Sequence, residues 1–203
     1  MTLLIILITV IASLIAFSNA EIMRKWIFNP YLVHKNKEWW RFFTSGLIHA
    51  DFLHLGLNMF VLYSFGQAVE YYFDDIFNDM GAYYYVLLYL GGLIISSAPT
   101  YNKQKQNYLY NSLGASGAVS AILFAAIMLN PWNKVYIMGF FALPGIIFGP
   151  LYLFLEYRMS AKGGDNINHD AHFWGAVFGF LFPIMLKPKL ALEFFDVLIH
   201  GMR

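Results

Sequence analysis

Cysteine is absent from this chain of 203 residues. That excludes disulfides, thiolate metal sites and a cysteine nucleophile, and it leaves the redox compartment unmarked. Charge is scarce too: Asp, Glu, Lys and Arg make up 12% of the residues, about half the roughly 25% of a soluble domain. The net charge is +1, with no basic stripe and no basic-aromatic interleaving, so nucleic acid is not an expected partner. No internal repeat and no low-complexity tract is present, which argues against a repeat array and against the duplicated halves of many transporters.

What fills the chain is apolar, 59% hydrophobic and 19% aromatic. A bilayer core of about 30 Å needs about 20 mostly apolar residues per helix, so the length holds about six spans and leaves no room for a second domain. Apolar runs at 2–17, 52–69, 82–98, 115–129, 135–155 and 171–186 predict an all-α polytopic membrane protein with six transmembrane helices, a single domain over 1–203. The first run resembles a secretory signal, with Ser18-Asn19-Ala20 as a cleavage-like end. It lacks a basic segment ahead of it and is expected to stay as a helix. Residues 21–51 hold Trp26, Tyr31, Trp39, Trp40 and Arg41, aromatic rings that suit the headgroup layer, so this loop is expected at the interface. Pro144, Gly145, Gly149 and Pro150 predict a kinked or loosely packed fifth helix.

Charge distribution speaks to orientation. With the N-terminus in the cytoplasm, Arg24, Lys25, Lys35, Lys37, Arg41, Lys103, Lys105, Arg158 and Lys162 fall outside, against Lys134, Lys187, Lys189 and Arg203 inside. The usual cytoplasmic excess of Lys and Arg would invert the chain.

An ionisable residue inside a membrane marks a functional site by default. His54, Ser116 and His172 stand at the starts of the second, fourth and sixth runs, which alternating helices bring to one face at similar depth. A lone serine would be ordinary at a helix contact. Here Gly114, Ala115, Gly117 and Ala118 strip bulk from around the hydroxyl and permit close approach by a helix or an incoming backbone. The amides and dipole of a helix N-terminus also favour negative charge, which supplies half of an oxyanion hole.

His172 precedes Gly175 and Gly179, a small-residue ridge that lets two membrane helices touch. If that ridge meets the fourth helix, the imidazole reaches Ser116 and can take its proton. His54 and Asn58 share one face of the second helix. They suit either a clamp between helices or a pair of donors to a tetrahedral oxygen. His49, His54, His169, Asp170 and His172 have the chemistry of zinc ligands. The chain has no HExxH and no two histidines four apart on one helix, so neither a metal nor another cofactor is expected.

Taken together, Trp40-Arg41, His49, His54, Asn58, Gly114-Ala115-Ser116-Gly117 and Ala171-His172 with Gly175 and Gly179 resemble, in order and spacing, the rhomboid intramembrane serine proteases over nearly the whole chain. The resemblance implies a six-helix core, an outer-leaflet loop after the first helix and a fifth helix acting as a movable side gate. It implies Ser116 as nucleophile, His172 as general base and then acid, and His54, Asn58 and the Ser116 amide as oxyanion donors, with Gly114 and Gly117 giving a substrate backbone room to approach. It implies a dyad with no acidic third member, and no carboxylate falls inside the relevant runs. The implied partners are transmembrane protein substrates and the lipid bilayer. A bacterial plasma membrane is the expected host, with the site opening to the extracytoplasmic side.

One departure concerns Ser120. Rhomboids often carry an aromatic ring there, stacked on the histidine, so a nearby Phe is expected to orient His172 instead. The alternative function is a catalytically silent rhomboid-like protein that binds transmembrane helices without cutting them.

Overall fold

A computed structural model describes residues 1–137, 141–165 and 167–201. Arg203, counted above on the inner side, and residues 138–140 of the fifth run lie outside them. Helix α1, Thr2–Ser18, ends where Asn19 turns extended, and the Asn19 side chain caps α2, Ala20–Trp26, by accepting from the amides of Glu21 and Ile22. Asn29 caps α3, Pro30–Asn36, in the same way, with Pro30 at the first helical position where no amide hydrogen is needed. Helix α4, Arg41–Thr44, and a tight turn at Ser45–Leu47 complete the segment. The loop expected at the interface is therefore a set of short capped helices.

Asp51 starts α5, Phe52–Phe77, by accepting from the His54 amide at 2.7 Å. Then come α6, Gly81–Gln104, and α7, Ser116–Leu129. A short antiparallel hairpin follows, β1 at Lys134–Ile137 and β2 at Phe141–Pro144. The chain finishes with α8, Gly145–Lys162, α9, His169–Leu186, and the amphipathic α10, Lys189–His200. The stretch Phe52–Gln104 is long and apolar enough to cross a membrane, as is the α9–α10 pair despite its 113° bend; α1 and α7 are apolar but shorter. Leu3, Leu4, Leu7, Ile11 and Leu14 of α1 point outward, an exposure that suits lipid rather than water.

The fifth run departs from expectation. Its first residues pair as the hairpin, Pro144 closes β2, and the helix begins at Gly145 and continues past Leu155 to Lys162. Proline has no amide hydrogen to give a ladder or a helix interior, so Pro144 suits the junction. The buried residues of α8 are Gly145 and Gly149, which rest on Ile127 and Phe124 of α7.

Helix α7 is the axis of the molecule, with every residue from Gly117 to Met128 buried. Its neighbours α5 and α6 bring Leu62, Val69, Tyr85 and Leu88 into one core with Ile122. On the other side the glycine ridge of α9 meets α7 backbone to backbone: a Cβ on Gly175 would strike the Gly117 carbonyl, and one on Gly179 the Ala121 carbonyl. Gly92 of α6 similarly faces Ala118. Where lipid is as apolar as any side chain, such close packing rather than hydrophobic burial holds helices together.

Candidate active site

The segment leading into α7 is fixed by the helical loop. Phe28 and Ser112 exchange backbone hydrogen bonds of 2.9 and 3.0 Å, and the Gly114 amide donates to the Ser45 carbonyl at 2.9 Å. The loop itself is braced by Arg41, which is 4% exposed. Its guanidinium donates to Glu38 at 2.6 Å and to the carbonyls of Arg24 and Ile27 at 3.1 and 2.7 Å. Burial pushes the Glu38 carboxyl up, but hydrogen bonds from Asn36 and Arg41 and the Arg41 charge leave it below the usual carboxylate range.

His49 ties this loop to α1 and α7. Ser13 gives its hydroxyl hydrogen to the Leu47 carbonyl at 3.0 Å and so accepts from His49 Nδ1, also at 3.0 Å. That tautomer leaves His49 Nε2 to accept from the Ala115 amide at 3.3 Å. Burial, then the neighbouring His54, pushes His49 down to about 3, so the ring is neutral. Gly114 takes φ +114°, open to glycine at little cost, and the His54 ring occupies the space where a Cβ would stand.

Ser116 is the first residue of α7, and its Oγ lies 2.8 Å from His172 Nε2. The contact follows from the ridge: with Gly175 seated on Gly117, a residue about one turn earlier on α9 faces the start of α7. His54 lies against Gly114, and Asn58 donates to the His54 carbonyl at 2.9 Å. A polar cavity of about 30 Å³, lined in part by Ser45, Ser96, Ser97, Ser112 and Asn168, opens beside Ser116 and Gly117; it has room for about one water.

Two expectations are corrected here. Among the described residues no Phe ring pairs with His172: Phe173 pairs instead with Tyr157, ring centroids 6.4 Å apart. A carboxylate does lie in a relevant helix, because α8 runs on past Leu155 and carries Glu156, whose Oε1 is 3.2 Å from His172 Nδ1. The other oxygen of Glu156 is 2.6 Å from His169 Nδ1, and His169 Nε2 is 3.0 Å from Asp165. Ser120, at the position of the expected ring, hydrogen-bonds Tyr152 at 2.8 Å, one turn before Glu156 on α8. The signal for Glu156 was its place just beyond an apolar run, four residues after Tyr152.

The five possible metal ligands named from sequence do not gather. His49 and His54 pack ring to ring, centroids 4.9 Å apart, while Asp170 is held by Lys103 and Ser160. Among the described residues, Glu156, His169 and His172 do offer ligand atoms within 4.8 Å of one another, a spacing an ion could bridge. Hydrogen bonds within the group account for that spacing.

A family profile described as the rhomboid domain matches residues 36–189. RHOMBOID-like protein 12, mitochondrial, of Arabidopsis thaliana is 29% identical over 148 residues, covering 66% of this chain and 42% of its own length. The Bacillus subtilis protein named "Putative rhomboid protease YdcA" is 29% identical over 162 residues, 76% of this chain and 70% of its own. Presenilin-associated rhomboid-like protein A, mitochondrial, of Danio rerio is 30% identical over 141 residues, 66% of this chain and 34% of its own. The chain thus spans less than half the length of these two organellar relatives and 70% of the bacterial one.

Proposed function

Because the chain belongs to the rhomboid family of integral membrane proteins, we propose that it is an intramembrane serine endopeptidase that cuts transmembrane segments of other membrane proteins. The observation that carries this reading is the 2.8 Å contact between Ser116 Oγ and His172 Nε2 at the start of a buried helix. His172 takes the hydroxyl proton as Oγ attacks the scissile carbonyl, passes it to the leaving amine, and then activates the water that releases the acyl group. The Ser116 amide, at the positive end of α7, joins His54 and Asn58 in donating to the tetrahedral oxygen. The His54 ring stands where a Cβ of Gly114 would be and the Ser96 side chain where one of Gly117 would be, so the unwound substrate strand approaches Ser116 over those side chains.

The bilayer setting belongs to the same proposal. Six helices cross the membrane as one domain, α1, α5, α6, α7, α8 and α9, with α2 to α4 in the outer leaflet. At 1.5 Å per residue, the 14 residues of α7 span about 21 Å, short of a core of ~30 Å. That shortfall supports a Ser116 recessed below the surface, and the small polar cavity beside it has room for the single water that hydrolysis consumes. A bacterial plasma membrane is supported by the Bacillus relative, matched over 70% of its own length; the opening of the site to the extracytoplasmic side is what the resemblance to the family implies.

The test is labelling of the purified protein in detergent with a fluorophosphonate, beside cleavage of a transmembrane reporter. Ser116→Ala should abolish both, and His172→Ala should lower both by about 1,000-fold or more. Labelling that survives Ser116→Ala would overturn the assignment. A folded protein that captures the reporter yet neither labels nor cleaves would be the silent binder.

A further inference from the structure

We propose that Glu156 is a positioning residue for this site, accepting the Nδ1 hydrogen of His172 and so holding the imidazole in the tautomer and rotation that aim Nε2 at Ser116. The inference rests on the protease reading above and adds a third member to its serine-histidine pair. A carboxylate only accepts hydrogen bonds. With Glu156 Oε1 at 3.2 Å from Nδ1, the ring hydrogen therefore sits on Nδ1, and the Nε2 lone pair faces the serine hydroxyl 2.8 Å away. An ionised carboxylate behind the ring also stabilises the imidazolium that forms when the serine proton arrives.

Among the described residues the surroundings assign this task to Glu156. Ser120 offers no ring to stack on His172 and is engaged with Tyr152. Asp170, the acidic residue two before His172, is taken by Lys103 at 2.6 Å and Ser160 at 2.7 Å. His169 holds Glu156 in place: its two ring nitrogens face Glu156 Oε2 at 2.6 Å and Asp165 Oδ2 at 3.0 Å. An imidazolium has one ring hydrogen for each of these oxygens, so His169 can bridge the two carboxylates and fix the orientation of Glu156. A tie between α8 and α9 would need His169 alone. The second oxygen, turned to His172, links the clamp to the chemistry.

The side chains of Glu156 and His172 are 13% and 19% exposed, screened enough for the pair to retain strength. Since Glu156 belongs to α8 and His172 to α9, the three residues are assembled only while α8 rests against α9. Movement of α8 would withdraw the carboxylate from His172.

Kinetics of the purified full chain test this. Glu156→Ala should slow fluorophosphonate labelling and kcat together by about 100-fold with KM within about twofold, and Glu156→Asp should recover about a tenth of the wild-type rate. Glu156→Ala that melts like wild type and labels within about threefold of its rate would overturn the proposal. Nitrogen NMR of labelled histidine reads the tautomer directly and covers the case in which Glu156→Ala does not fold. His172 protonated at Nδ1 in the wild type, assigned by its loss in His172→Ala, supports the proposal, whereas protonation at Nε2 overturns it. Absence of labelling in the wild type would count against the protease reading, and the tautomer would still decide this one.

Discussion

Each ring nitrogen of His49 has one partner, Ser13 on one side and the Ala115 amide on the other, and a second ring proton would face that amide donor to donor. The ring is fully buried and its pKa falls from an ordinary 6.5 to about 3. In the unfolded chain it binds a proton that the folded chain refuses. Its contribution to stability is therefore complete above about pH 6.5, is lost progressively as pH falls toward 3, and changes no further below that. The whole loss is on the order of a few kcal/mol. Thermal melting of wild type and His49→Gln across this range checks it: the glutamine keeps a donor and an acceptor without titrating, so the difference between the two should shrink on acidification. Parallel acid slopes would mean that the burial of His49 is not felt. Sequence reading offered His49 as part of a motif and as a zinc ligand but not as a tie between helices, because its partners lie on α1 and just ahead of α7, remote in the chain. Ser116 and His172 were legible because glycines flank the one and a glycine ridge follows the other. Glu156 was not, since nothing local distinguishes a carboxylate that turns inward from one that ends a span.

Glycines of the helices should respond to alanine with opposite signs. At Gly179 the added methyl would strike the Ala121 carbonyl, whereas at Gly56 of α5 it meets nothing within 4 Å. Gly179→Ala forces α9 away from α7 and should cost about 1–3 kcal/mol by overpacking. Gly56→Ala removes only backbone freedom and should add about 0.5–1 kcal/mol. A lower melting temperature for the first and a higher one for the second is expected, and two equal shifts would contradict the packing described. The element boundaries show what hydropathy reads and what it misses. Runs of apolar residues located α1, α5, α6, α7 and α9, but the fifth run was cut at Leu155 where polar residues begin, although backbone hydrogen bonding carries α8 to Lys162. Helix α10 went unread for the same reason. Lys189, Glu193, Asp196 and His200 break its sequence into fragments, yet they form one polar stripe beside an outward apolar stripe of Leu192, Phe195 and Ile199. A helix with two such stripes fits the boundary between lipid and water.

Orientation belongs to the whole molecule, and there the Lys and Arg count and the proposed topology disagree. The structure weakens the count. Arg41 is buried against Glu38 and two carbonyls, and Lys103 is bound to Asp170. Arg24, Lys25 and Lys35 sit on α2 and α3, and Lys37 just beyond, where its ammonium caps the His34 carbonyl. The rule weighs basic residues in short loops that resist translocation. Charges built into a folded segment have their own local anchors, and long basic side chains can reach headgroups while their stems stay in apolar surroundings. The lack of cysteine makes the alternatives separable, because one introduced thiol is the only thiol. Gln106, exposed beyond the α6 end that neighbours Ser116, and Lys189, exposed after the far end of α9, lie on opposite sides if both helices cross. In intact bacterial cells expressing the chain, a membrane-impermeant maleimide should label Gln106→Cys directly and Lys189→Cys only after permeabilisation. The reverse pattern would turn the molecule over and open Ser116 and His172 to the cytoplasm, and with them the end of each substrate helix within reach of the site.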